Sequence, residues 1–217
     1  MTAGSENRIT PELLLQGYAS GVFPMSESVD DPEIFWVDPQ MRGVFPLDRF
    51  HVSRSLARTI KRSAYKITID QHFNNVVAAC ADRDETWINS EIFDLYNQLH
   101  ELGFAHSVEV MESDTLVGGL YGVSLASAFF GESMFSRRTD TSKIALTYLI
   151  ARLKYGGFTL LDTQFQTDHL KSLGSQEITR DEYRNRLANA LERSASFYKL
   201  PLDTQPSEIL HLSSQTS

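Results

Sequence analysis

The apolar positions of this 217-residue chain change period several times, and each change marks an element. Thr10-Pro11-Glu12 sets a capping hydroxyl, a proline and an acid at a helix start. Leu13, Leu14, Gly17 and Tyr18 give that helix an apolar side, and Gly21 stops it. Val22 to Asp48 is rich in proline and aromatic residues and reads as short extended pieces and turns. Leu56 and Ile60 lie on one side of a helix whose other side is basic. Tyr65 to Ile69 alternates as a strand, and Phe73 to Cys80 reads as a short helix. Ile92, Leu95, Tyr96, Leu99 and Leu102 form a helical stripe over 90–102, with Ser90 as cap and Gly103 as stop. The period then drops to two. His106 to Met111, Thr115 to Ser124 and Ala128 to Phe135 read as consecutive strands, with a turn at Ser113-Asp114. A long helix follows, capped at Asp140/Thr141 and stopped at Gly156-Gly157. Phe158 to Thr163 is a β-run, Thr167 to Leu173 is short and helical, and Arg180 to Leu191 is a further helix. The Ser/Thr/Gln-rich residues 203–217 read as a flexible tail.

This order predicts an α+β protein: a small N-terminal domain over 1–62, then a domain over 63–202 with a mixed, largely antiparallel sheet. The second domain resembles the acetyltransferase (GNAT-like) fold of the acetyl-CoA-dependent enzymes. Those enzymes hold a pyrophosphate on a Gly-rich turn opening the helix after the meander. The corresponding turn here, Ser136 to Ser142, contains no glycine, which argues against a CoA donor.

Composition narrows the class. A 41% hydrophobic content is that of a globular chain rather than a disordered one. The lone Cys80 rules out a disulfide framework and any Cys-based zinc site, and suits a reducing cytoplasm. The apolar runs fall short of a membrane span, and Met1 to Asn7 lacks the apolar core of a signal peptide. No metal spacing links the histidines, so no cofactor is expected. The net charge of −8 argues against a generally basic nucleic-acid coat. Its distribution is uneven, however. Arg49, Arg54, Arg58, Lys61, Arg62 and Lys66 make a +6 segment without an acid, which leaves −14 on the rest of the chain. Residues 54, 58, 61 and 62 share one helix face. That face is either simply solvated or a surface that tracks phosphates.

Candidate chemistry is sparse. Asp162 and Gln164 stand two apart on a β-run, so a carboxylate and an amide share a face at a strand end. They form either a proton-handling pair or a helix cap beside a solvated amide. Glu132, which shares a strand face with Met134 two residues on, is costly to bury without a partner and meets either a cation or the sheet edge. Leu120, Phe129, Met134 and Leu146 suit core or an adaptable apolar pocket. Trp36 and Trp87, both in loop-like contexts, are stacking platforms or core plugs.

Eight runs, taken in order, resemble the leucyl/phenylalanyl-tRNA–protein transferases. They are Gly21 to Met25, His51 to Leu56, Thr86 to Ile88, Ala105 to Glu109, Leu116 to Gly122, Gly131 to Ser136, Asp162 to Gln164, and His169 to Gly174. Together they span about residues 10–190. The resemblance implies transfer of Leu or Phe, sometimes Met, from aminoacyl-tRNA to proteins beginning with Arg or Lys. This marks them for N-degron-dependent degradation. It also implies a cytoplasmic, monomeric enzyme. It implies that Asp162 and Gln164 relay a proton, and that Glu132 reads the acceptor's basic side chain. By the same resemblance Trp36 and Trp87 contact the terminal adenosine, and Leu120, Phe129, Met134, Leu146 and Leu161 form the aminoacyl pocket. Arg54, Arg58, Lys61 and Arg62 would face the tRNA acceptor stem. Departures at Val37 to Arg42, Thr163 and Leu120 bear on donor preference rather than on reaction type.

Overall fold

Thr10 caps the first helix as its sequence dictates: its hydroxyl accepts the Leu13 N–H, and Gly21 closes the helix in the left-handed region. The structure, a computed structural model, describes residues 9–62, 65–83 and 86–214. Helix α1 (Pro11–Ser20) is followed by β1 (Phe23–Met25), β2 (Phe35–Val37) and β3 (Met41–Val44). Next come α2 (Arg54–Arg62), β4 (Lys66–Ile69), α3 (Phe73–Ala81) and α4 (Ser90–Glu101). The meander is β5 (Ala105–Glu112), β6 (Thr115–Leu125) and β7 (Ala128–Ser136). It leads into α5 (Thr141–Gly156), β8 (Leu160–Gln164), α6 (Asp168–Ser172), β9 (Gln176–Thr179), α7 (Arg180–Leu191) and α8 (Pro206–Ser214).

Strands β1 and β2 form a separate antiparallel pair. The other seven make one sheet in the order β4-β5-β6-β7-β8-β3-β9, antiparallel except where β8 runs parallel to β7. The expected mixed, largely antiparallel α+β sheet is therefore present. It also takes in β3, a strand from the stretch read as a separate N-terminal domain. Gly43 permits this: a Cβ there would sit 2.8 Å from the Phe165 carbonyl carbon and from Thr163 Oγ1.

Alternation along the strands sends neighbouring residues to opposite faces. Tyr121, Phe130 and Leu160 join one core with α1, α3, α4 and α7. Leu120, Phe129 and Leu161 join a second core with α5 and α2.

Two expectations are corrected, and one strand is added that the pattern did not announce. The cap of α4 is Asn89, whose side chain accepts the Ile92 N–H, and Ser90 is already helical. Strand β9 had no signal, because Ile178 is the one buried residue of Gln-Glu-Ile-Thr. The tail read as flexible carries α8, whose Ile209 is buried and which packs on α5 and α2. Buried Arg152 anchors the chain leading to it, donating from Nη1 to the Phe197 and Leu200 carbonyls at 2.9 Å. Polar composition concealed one apolar helix face.

Candidate active site

Strand β7 pairs with β8 only from Ala128 to Phe130, opposite Leu160 to Asp162. Beyond that point the two strands separate, and a cavity of about 260 Å³ opens between them. A β-bulge directs side chains into it. Tyr121 pairs with Ser133 but Gly122 with Gly131, so Glu132 is the extra residue. Bulges re-aim side chains, and this one breaks the expected alternation. Glu132 turns to Tyr18 and Tyr96, on the side of α1 and α4, while Met134 packs with the core on the other side. The two therefore do not share a face.

The apolar wall consists of Leu120 and Met134, opposite each other across β6 and β7, with Leu146 and Leu149 of α5, Leu161 of β8 and Leu170 of α6. Glu132, Gln164, Tyr121 and Thr163 supply the polar wall, and Trp87 and Phe165 flank it. Among the described residues, the buried Tyr121 Oη and Thr163 Oγ1 have no hydrogen-bond partner.

Glu132 is 8% exposed. Tyr18 Oη lies 2.7 Å from its Oε1 and Tyr96 Oη 2.8 Å from its Oε2, both hydrogen-bonded, and Gln164 Nε2 donates to Oε2 at 2.8 Å. Burial pushes its carboxyl up to about 7, against the pull of those three hydrogen bonds, and the charge of Asp162 pushes in the same direction as burial. No ion pair reaches it among the described residues.

Asp162 lies deeper, with no exposed surface, and does not line the cavity. Arg42 grips it through Nε at 2.9 Å and Nη2 at 2.6 Å, and Tyr183 Oη donates at 2.8 Å. The guanidinium lies 4.4 Å from the ring centres of both Phe23 and Tyr183, and its Nη1 donates to the Gly21 carbonyl. Burial disfavours the Arg42 charge, but Asp162 outweighs it and raises the guanidinium's already high pKa. Asp162 Oδ1 also accepts the backbone N–H of Gln164 at 2.8 Å. Gln164 stands in the left-handed region at φ 63°, a position costly for a non-glycine residue. That hydrogen bond helps hold the turn, which aims the Gln164 amide at Glu132.

The cavity thus brings together Glu132, Gln164, Trp87, Leu120, Met134, Leu146 and Leu161. Phe129 is set behind the wall, stacked on Phe197 with ring centres 5.7 Å apart. Trp36 lies elsewhere, over α1, where its ring fills the space that a Cβ on Gly17 would need. Arg54, Arg58, Lys61 and Arg62 project from the polar side of α2, with Leu56 and Ile60 buried beneath them. None of the four forms an ion pair among the described residues. Sequence reasoning missed Tyr18, Tyr96, Tyr183 and Arg42, each of which lay within a segment readable as ordinary helix or extended chain.

Before α5, Thr141 Oγ1 donates to the Val117 carbonyl and Ser142 N–H donates to Ser136 Oγ. The turn's own hydroxyls bond to its neighbouring backbone groups. Among the described residues, no group of three or more His, Cys, Asp or Glu is placed to hold a metal ion, and no helix is long and apolar enough to cross a membrane.

The chain is similar to known proteins along most of its length. The leucyl/phenylalanyl-tRNA protein transferase family matches over residues 44–188, and its N-terminal domain over residues 7–40. A leucyl/phenylalanyl-tRNA–protein transferase of Cereibacter sphaeroides is 60% identical over 96% of this chain and 98% of its own. The transferase of Roseobacter denitrificans is 58% identical over 97% and 100%. The crystal structure of FemX overlaps 69% of this chain and 64% of its own, at 12% identity and a TM-score of 0.46. The chain belongs to the leucyl/phenylalanyl-tRNA protein transferase family and is an aminoacyltransferase.

Proposed function

We propose that this protein moves Leu or Phe, and also Met, from the 3′ end of an aminoacyl-tRNA to the N-terminal Arg or Lys of a protein, marking it for N-degron-dependent degradation in the cytoplasm. The observation that carries this reading is a cavity that joins an apolar wall of Leu and Met side chains to a buried carboxylate with no ion-pair partner among the described residues. The wall of Leu120, Met134, Leu146 and Leu161 receives the donor side chain, with Phe129 supporting it from behind. Trp87 stacks on the terminal adenosine. Arg54, Arg58, Lys61 and Arg62 take the acceptor-stem phosphates. The domain carrying the cavity is read as acetyltransferase-like, supported by the meander, α5 and a parallel β8 in that order.

The reaction is aminolysis. The acceptor α-amine forms the amide bond, the ester bond to ribose breaks, and a proton passes to the leaving ribose oxygen. The activated ester supplies the driving force. The α-amine must first lose its own proton, and free α-amines titrate at ~7.7–8.0. Glu132 holds the acceptor's cationic side chain by charge-assisted hydrogen bonds. Gln164 positions the reacting groups. Asp162, fully engaged with Arg42 and Tyr183, is better placed to orient Gln164 than to take the amine's proton directly. The test is one assay: labelled Leu-tRNA or Phe-tRNA with peptides starting with Arg, Lys, Asp or Ala. Transfer to Arg and Lys peptides alone supports the reading; transfer to none, or to all alike, sinks it.

A further inference from the structure

The oxygens of Tyr18, Tyr96 and Glu132 close a ring. Tyr18 Oη is 2.7 Å from Glu132 Oε1 and 2.7 Å from Tyr96 Oη, which is 2.8 Å from Glu132 Oε2. Each is an O–H···O hydrogen-bond distance, and each such contact needs a hydrogen. The two phenols supply one hydrogen apiece. Burial keeps both phenols from ionising. With an ionised carboxylate, both hydrogens point at Glu132 and the two phenol oxygens face each other with none between them. The third hydrogen must then come from the carboxyl. Oε2 accepts from Gln164 Nε2, so a hydrogen on Oε1 divides the roles, one carboxyl oxygen donating and the other accepting. The ring then runs in one direction: Glu132 Oε1 donates to Tyr18, Tyr18 donates to Tyr96, and Tyr96 donates to Glu132 Oε2.

We propose that Glu132 is protonated while the acceptor site is empty, held so by Tyr18 and Tyr96 as positioning residues, and that it releases this proton when a basic N-terminal side chain binds. The inference rests on Glu132 being the acceptor reader. It makes the preference for basic N-termini depend on pH, because the cation competes with a proton for one carboxylate.

The surroundings fit. Tyr18 faces Glu132 from α1, Tyr96 from α4, and Gln164 from β8. Tyr121 of β6 shares the cavity wall, its hydroxyl without a partner among the described residues. Charged groups nearby do not neutralise it: Arg42 of β3 is bidentate to Asp162, and Asp162 is itself an anion. Arg83 and His169 lie on the cavity wall, Arg83 exposed. The carboxyl's rise to about 7, caused first by burial, agrees with the hydrogen count without being needed for it.

Binding then costs one proton below the titration of Glu132, so affinity for an Arg-starting peptide rises about tenfold per pH unit there, then levels off. A neutral peptide shows no such slope from Glu132. The test is carbon-13 NMR of the full chain labelled at glutamate side-chain carboxyls, titrated from pH 5.5 to 8.5 with and without the dipeptides Arg-Ala and Ala-Ala. Glu132→Gln assigns the resonance by its loss. It is also built to fold, because its amide nitrogen can donate to Tyr18 where the carboxyl did. The expected result is a Glu132 resonance with a midpoint near neutrality in the empty enzyme, moved down by at least one pH unit by saturating Arg-Ala but not by Ala-Ala. A resonance ionised from pH 5.5 upward in the empty enzyme overturns the proposal, even if Glu132→Gln still weakens Arg-Ala binding and so preserves the reader role. A midpoint near neutrality that Arg-Ala leaves in place overturns both.

Discussion

Two buried carboxylates stand side by side in this protein and are treated in opposite ways. Asp162 has a guanidinium in bidentate contact, a phenol and a backbone N–H, and is sealed from the cavity. Glu132 has only neutral donors and opens onto it. The first arrangement completes a structure. The second leaves one deficit, a missing positive charge, which a substrate can supply. A buried acid therefore points to binding when its neighbours solvate it but do not neutralise it.

The largest expected effect attacks the sealed side. Arg42→Ala strands the Asp162 charge in the core, and breaking a buried pair costs about 3–5 kcal/mol, read by urea unfolding. Replacing both partners, Arg42→Met with Asp162→Leu, should recover most of that stability. It should not recover transfer activity, because Gln164 loses the acceptor of its N–H. Recovered activity would show that the pair only packs.

On the open side, the effect of Glu132 on stability has a definite sign. Its carboxyl is raised from 4.5 to about 7, so the native state binds more protons than the unfolded one. The stability from this group is fully present below about 4.5 and is lost as pH rises through about 7, by up to about 3 kcal/mol. In Glu132→Gln this fall disappears. Thermal unfolding from pH 5 to 8 of both proteins measures it, and parallel curves would contradict it.

Smaller effects test the rest of the cavity and the distant basic face. Met134→Trp fills the apolar wall, and small-volume discrimination there is worth ~1–3 kcal/mol. Its kcat/KM should fall about tenfold further for Phe-tRNA than for Leu-tRNA; equal losses would take Met134 out of the pocket. Changing Arg54, Arg58, Lys61 and Arg62 to Gln should leave kcat at saturating tRNA unchanged. It should flatten the salt dependence of tRNA binding by ~0.7–0.9 in log–log slope for each phosphate these side chains neutralise. An unaltered slope would make that face merely solvated.

Much of this was legible in the chain because local signals agreed with tertiary demands. The meander, α5 with its stop at Gly157, and the basic face of α2 follow from period, the stop glycine and spacing, although Asp140 opens α5 without the expected side-chain cap. Asp162 and Gln164 were recognisable as a strand-end pair, and Glu132 as an acid too apolar in context to be ordinary. What stayed hidden depends on long-range pairing. The bulge at Glu132 arises only where β6 and β7 are in register, so alternation alone put Glu132 and Met134 on one face. Arg42 reaches Asp162 across 120 positions of sequence, and its segment carried only turn and extended signals. Helix α8 was masked by Ser, Thr and Gln, since one buried Ile209 is too little apolar pattern to find.

The most direct test compares wild type with Glu132→Gln in the transfer of Leu from Leu-tRNA to peptides starting with Arg or with Ala, alongside the Kd for Leu-tRNA. A hydrogen bond to a charged group is worth ~1.5–3 kcal/mol, so kcat/KM for the Arg peptide should fall roughly 10- to 150-fold. The Ala peptide and the Kd should barely change. Equal use of the Arg peptide by both enzymes would contradict the account.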